Sequence, residues 1–321
     1  MAIYAIINAM KIYFAPMEGI TGNIVRNAYY HNFPGIDRYF TPFIPTGKGM
    51  NSKVKRDIAP ENNVGIDLIP QAISTDLDDL MRLEDRLMAR GYTEYNLNFG
   101  CPSGTVVSKG RGAGFLADPS NIDRFLERLF DATSMKISVK TRVGVTDDSQ
   151  WSGILDVYSR YPLTELIVHP RIQKDFYKGL PRLECYKAAY EKLASHALVY
   201  NGDITDYASY RRIVDAYPGT SAVMIGRGLL MYPGLAGSIA SGQELDTSDP
   251  AYLRQLRVFH DEIYAGYSSI FSGPKDTIMH MKEIWTYLRM NFPESEKEIK
   301  KLLKSKNEYD YLTSVKKILN F

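Results

Sequence analysis

Tyr95-Asn96-Leu97-Asn98-Phe99-Gly100-Cys101-Pro102-Ser103 is an alternating strand that runs into a Gly-Cys-Pro turn, and a glycine-rich loop, Lys109 to Gly114, follows it. Alternation of apolar and polar residues marks a strand with two different faces. At the turn Gly100 gives conformational latitude and Pro102 fixes its own backbone angle, so Cys101 is expected at the carboxyl end of a strand rather than inside a layer. A free cysteine is most often a small buried hydrophobe. Placed between glycine and proline at a strand end, this one is instead positioned to meet a substrate.

The same strand-then-helix pairing recurs on both sides of this corner. Strands are predicted at 11–15, 38–41, 65–72, 93–98, 136–140, 164–169, 197–201 and 221–225. Helices are predicted at 22–31, 76–90, 119–132, 151–160, 182–194 and 206–216, with a short one near 227–240. Consecutive parallel strands need crossovers, and right-handed crossovers close into a barrel. An α/β fold of the (β/α)8 TIM-barrel type is therefore expected, with a doubly wound sheet as the alternative. Met17, Gln71, Asn98, Lys140, His169, Asn201 and Gly226 all fall on the carboxyl side of the strands, and in a barrel those ends converge on one mouth. The segment 43–63 reads as a long irregular loop over that mouth. After about Gly242 the strand pattern stops, and helices at 251–267, 275–291, 295–304 and 308–319 form a C-terminal all-helical domain. The expected division is a catalytic barrel at 1–245 and a helical domain at 246–321.

The 321 residues suffice for such a barrel and a small appendage, and 45% apolar with 24% charged residues is ordinary for a soluble globular chain. No apolar run is long enough to span a bilayer. Met1 to Met10 lacks a basic start and a small-residue cleavage site, so no signal peptide is expected and the location reads as cytoplasmic. Cys101 and Cys185 are too few for a disulfide framework and have no partners at metal-ligand spacing, so no metal is expected and Cys185 is given no role. The net charge is +2. Residues 251–321 hold 12 Lys and Arg against 9 Asp and Glu, a small surplus that permits nucleic-acid binding without requiring it. Lys297, Lys300, Lys301 and Lys304 fall along one side of a helix, which suits either a solvated face or an RNA backbone.

Individual residues carry unequal weight. Lys140 alternates with Ile137 and Val139 and so points into the barrel, where a lysine needs a counter-charge, and an anionic ligand supplies one. His169, beside an apolar run, reads by itself as a satisfied core residue as readily as a ligand. Asn201-Gly202-Asp203 and Gly226-Arg227-Gly228, in consecutive loops after the last two strands, have the arrangement of a phosphate site. Arg171, Lys174 and Lys178 form a basic loop that suits solvent or RNA phosphates.

Asn96 to Ser103 resembles the active-site signature of the tRNA-dihydrouridine synthases, flavoenzymes that reduce the 5,6 double bond of uridines in tRNA. Further segments recur in that family's order: Ala15-Pro16-Met17-Glu18-Gly19-Ile20-Thr21, Val139-Lys140-Thr141-Arg142-Val143-Gly144, Val168-His169-Pro170-Arg171, Asn201-Gly202-Asp203 and Met224-Ile225-Gly226-Arg227-Gly228. Lys282 to Arg289 is similar to part of its helical domain. The resemblance implies FMN as cofactor, NADPH or NADH as reductant, tRNA as partner, and Cys101 as proton donor to C5 of the uracil. It implies that Pro16, Met17, Glu18, Gln71, Lys140, His169, Asn201, Gly202, Asp203, Gly226 and Arg227 hold the cofactor. Asn98, Arg111, Arg171 and Lys174 are taken as substrate contacts, and a monomer is expected. Pro170 and Thr21-Gly22 depart from the family pattern, which bears on loop shape. An FMN-barrel reductase of a small molecule, of dihydroorotate or dihydropyrimidine type, is the alternative, and a non-catalytic RNA-binding scaffold is a third reading.

Overall fold

The computed structural model describes residues 10–47 and 49–319, so the reading of Met1 to Met10 as no signal peptide lies, but for Met10, outside the described residues. The strand segments are β1 (Lys11–Phe14), β2 (Arg38–Phe40), β3 (Ile44–Pro45), β4 (Leu68–Ile69), β5 (Gln71–Ile73), β6 (Glu94–Phe99), β7 (Lys136–Thr141), β8 (Leu166–Val168), β9 (Leu198–Asn201) and β10 (Ala222–Ile225). All pair in parallel, in the order β3-β5-β6-β7-β8-β9-β10-β1-β2-β4. Only Pro70 separates β4 from β5. Proline has no N–H for a ladder, so the predicted strand 65–72 is broken there. Because β4 pairs with β2 and β5 pairs with β6, that one interrupted strand joins the two ends of the order and closes the ring. β2 and β3 form another interrupted strand along it. The result is the TIM barrel that the alternating pattern predicts.

Period-two alternation sorts the side chains. Tyr13, Ala15, Phe40, Ile69, Ile167, Val199, Ala222 and Met224 form an apolar cluster of their own inside the barrel. Their neighbours in sequence, among them Ile12, Phe14, Leu166, Val168, Val223 and Ile225, join the larger cluster shared with the surrounding helices. Apolar residues thus plug the lower barrel, and polar ones on the same inward face are left for the carboxyl end.

The segment expected to be an irregular loop is more ordered than predicted. Asn51 accepts a hydrogen bond from the Val54 N–H and starts a helix at Ser52–Asp57, and a turn of 3-10 helix follows at Pro60–Asn62. Asp57 then accepts from the Asn23 N–H at 2.6 Å and pairs with the buried Arg26. It caps the helix Asn23–Asn32, whose own N-cap, Gly22, has no side chain to do so. The predicted helix 227–240 is two helices, Arg227–Met231 and Leu235–Ser241, divided at Pro233.

Of the C-terminal helices Pro250–Ile270, Pro274–Leu288, Glu296–Lys304 and Glu308–Ile318, the first packs on the barrel's helix Asn23–Asn32, the second on Arg227–Met231, and the last two on the second. Phe259 meets the rings of Tyr29 and Phe33 edge-on, with centroids 5.5 and 5.4 Å apart. Asn291 donates to the Met231 carbonyl and accepts from the Tyr252 hydroxyl. One apolar cluster runs across this seam. Among the described residues no helix is long and apolar enough to cross a membrane. Truncating Phe259 to alanine should cost about 3–5 kcal/mol in a urea-unfolding measurement, because it removes a fully buried ring from the seam; a cost below about 1 kcal/mol would mean that the helices do not depend on it.

Candidate active site

At the carboxyl end of the barrel lies a cavity of about 440 Å³. Cys101, Asn98, Pro16, Met17, Glu18, Gln71, Lys140, His169, Asn201, Gly202, Asp203, Gly226 and Arg227 all line it. Alternation places them there: Asn98 and Lys140 are partners in register on β6 and β7, two residues above Asn96 and Ser138.

A relay of side-chain amides holds the cysteine turn. Ser138 Oγ accepts from Asn96 Nδ2 at 3.0 Å, Asn96 Oδ1 from Gln71 Nε2 at 2.8 Å, and Gln71 Oε1 from Asn98 Nδ2 at 2.8 Å. Asn98 Oδ1 then accepts from the backbone N–H of both Gly100 and Cys101, at 3.0 and 2.8 Å. Each amide can be flipped only by breaking its neighbours, so the relay fixes its own orientation and that of the turn. The far side is held by Ala113, whose N–H donates to the Cys101 carbonyl at 3.0 Å. The glycine that matters for close approach is Gly112, not Gly100. Its φ is +55°, and a Cβ there would lie 2.8 Å from the Cys101 carbonyl oxygen.

Arg142 was not among the predicted site residues, although it lies within the Lys140-Thr141-Arg142 motif. Its Nε donates to the Gly100 carbonyl at 3.0 Å, and its other nitrogens donate to the carbonyls of Ile172 and Phe176. It thereby ties the cysteine turn to the loop after β8. Phe43, Phe176, Tyr177 and Tyr287 also line the cavity and were not predicted. Tyr177 carried a signal as an aromatic within the basic loop. Tyr287 belongs to the helix Pro274–Leu288, so the helical region contributes to the cavity wall.

The basic loop divides. Arg171, expected to touch substrate, is fully buried. Its Nη1 donates to His169 Nε2 at 3.2 Å and to Asp203 Oδ1 at 3.1 Å, and its Nη2 donates to Asp203 Oδ2 and the Gly179 carbonyl. With its guanidinium consumed, Arg171 is not brought to the cavity. Lys174 is exposed outside it, and Arg111 is half-buried outside it. In the tail, Lys300 and Lys301 are paired with Glu296 and Glu298.

An arginine only donates, so His169 Nε2 is the acceptor and Nδ1 carries the ring proton. Burial, then the cations Lys140, Arg142, Arg171 and Arg227, hold the His169 pKa well below its ordinary value, so the ring is neutral. Asp203 lies between Arg171 and Arg227 and accepts from both. The Tyr177 ring lies under the Arg227 guanidinium, 5.0 Å away.

Lys140 stands apart. Among the described residues its ammonium has no carboxylate partner, and protein surrounds it except where it opens on the cavity. Burial, and then the Arg142 cation, lower its pKa to about 7. Burial pushes the Cys101 thiol upward, against a backbone hydrogen bond at Ser103 and the cations Arg142 and Lys140, so the thiol is protonated at neutral pH. For Lys140 the folded pKa lies below the unfolded one, so the unfolded chain binds the extra proton between about pH 7 and 10.5, and the penalty is full below 7. Lys140→Met should raise the Tm of the ligand-free protein at pH 6–7, and the gain should shrink as pH rises toward 10; a gain independent of pH would show that the lysine carries no such penalty.

A sequence profile described as dihydrouridine synthase (Dus) matches residues 13–317. The tRNA-dihydrouridine(16) synthase of Cupriavidus necator is 26% identical over 298 residues, covering 89% of this chain and 90% of its own. That of Shigella flexneri is 28% identical over 243 residues, covering 71% and 74%. Among solved structures, morphinone reductase superposes with a TM-score of 0.51 at 11% identity, over 75% of this chain and 88% of its own, a likeness of fold. With a profile that spans nearly the whole chain and the polar strand ends gathered around one cysteine, the chain belongs to the dihydrouridine synthase family of flavin-dependent oxidoreductases.

Proposed function

We propose that this protein reduces the 5,6 double bond of particular uridines in tRNA, with FMN in the barrel mouth, NADPH as reductant and Cys101 as proton donor. The observation that carries the reading is a protonated thiol and an unpaired, recessed ammonium facing one cavity. The cavity falls in the usual size range of ligand pockets, and Lys140, with no carboxylate partner among the described residues, offers an anionic cofactor a cation. Lys140, His169, Gln71 and the Pro16-Met17-Glu18 turn would hold the flavin ring, and Asn201, Gly202, Gly226 and Arg227 its phosphate. Arg227 brings its guanidinium there, and the Asp203 carboxylate beside it is shared with Arg171, so the net charge of that corner stays positive. Bound there, the flavin supplies hydride to C6 of the uracil after the nicotinamide has reduced it.

The chain's own residues supply the rest. Cys101 gives its proton to C5, and the thiolate left behind is stabilised by Arg142 and Lys140, the cations that already draw its pKa down. Asn98 keeps the turn fixed as the charge appears. A uridine in folded RNA has to leave its stack to reach this depth, and reductant and uridine use the cavity in turn. Lys297 and Lys304 of the helical region, with Lys174 and Arg111, are proposed contacts to the RNA backbone. A small-molecule reductase would need no such helical region in its cavity wall.

The test is to incubate FMN-loaded protein and NADPH with unmodified tRNA and to look for a gain of two mass units on a uridine. Cys101→Ala should retain flavin and its reduction by NADPH yet slow uridine reduction by about 10²-fold or more. Equal turnover would remove Cys101 from the chemistry, and no mass gain on any tRNA with wild-type protein would reject the function.

A further inference from the structure

Phe176 is, among the described residues, the one non-glycine with a positive φ, at +51°. An aromatic residue there is strained where glycine would be free, and such strain persists only where its surroundings impose it. The surroundings do so: the Phe176 N–H donates to the Gln173 carbonyl at 3.1 Å, and its carbonyl accepts from Arg142 Nη2 at 2.6 Å. Core packing does not repay the strain, because the side chain is 46% exposed. It stands at the lip of the cavity. Its neighbour Tyr177 lies against Arg227, Arg142 and His169, but Phe176 has no ring or cation against it among the described residues.

The loop that carries this bare ring holds two exposed lysines. Lys174 and Lys178 have no close ion pair among the described residues; the charge of Lys174 reaches Asp147, and the Asp175 carboxylate is engaged by Arg182. A flat apolar face between exposed lysines is what single-stranded nucleic acid requires: stacking for a base and cations for the phosphates beside it. Resting on the tRNA reading above, we propose that Phe176 is a stacking platform for the nucleobase adjoining the uridine that enters the cavity, with Lys174 and Lys178 on the flanking phosphates.

Phe176→Gly separates this from a structural role, since glycine relieves the backbone and removes only the ring. The Tm should be unchanged or higher, and flavin content and the rate of flavin reduction by NADPH should match wild type. The Kd for tRNA should rise by roughly 5- to 100-fold, the range expected for one lost stacked base, and Phe176→Trp should keep wild-type affinity. Wild-type protein that reduces tRNA beside a Phe176→Gly variant of unchanged tRNA affinity overturns this proposal alone. So does a variant whose only defect is a raised KM for NADPH, which would make the ring a nicotinamide contact. A wild-type protein that neither binds nor reduces tRNA overturns the function and this proposal together.

Discussion

The site depends on one acceptor, the side-chain carbonyl oxygen of Asn98, which takes the N–H groups of both Gly100 and Cys101. A turn leaving a strand would otherwise leave those donors to water, with only the Gly100 and Cys101 carbonyls held, by Arg142 and Ala113. Asn98 holds it because Gln71, Asn96 and Ser138 hold Asn98 in turn, each amide satisfied by the next. Buried polar networks of this kind stabilise when complete and are costly when broken. The barrel makes it possible by placing these residues on one inward face at neighbouring levels.

Electrostatics at the mouth are unbalanced by design of the sequence. Lys140, Arg142, Arg171 and Arg227 gather around a neutral histidine, and Asp203 is the carboxylate between two of them. Arg142 and Arg171 have their guanidinium groups tied to carbonyls, so they act as fixed parts of the frame. Among the described residues Lys140 is the cation of this group with no carboxylate partner, and burial with the Arg142 cation holds its pKa down to about 7.

Much of this was legible in the chain. Alternation in Tyr95 to Phe99 and in Lys136 to Lys140 gave both the strands and which residues face inward, because period two is a local property. What escaped depended on distant partners. Arg171 looked like a surface base in a basic loop, and only the fold brings His169 and Asp203 against it. Asn98 lines the cavity as expected of a site residue, but that its oxygen also holds the Gly100 and Cys101 N–H groups shows only in the folded turn. Tyr287 lies far along the chain, and no local pattern tells that its side chain lines the cavity. The break at Pro70 was visible as a proline, but its consequence, one strand pairing with different neighbours above and below, is a property of the closed ring.

The central claim is that the Asn98 carbonyl oxygen, more than any contact to the cysteine side chain, keeps Cys101, the proposed proton donor, in place. The most direct measurement is single-turnover uridine reduction by an Asn98→Ala variant whose fold and flavin content match wild type. The account predicts a rate reduced nearly as far as by loss of the thiol itself, with little change in tRNA affinity. A rate within about twofold of wild type would contradict it.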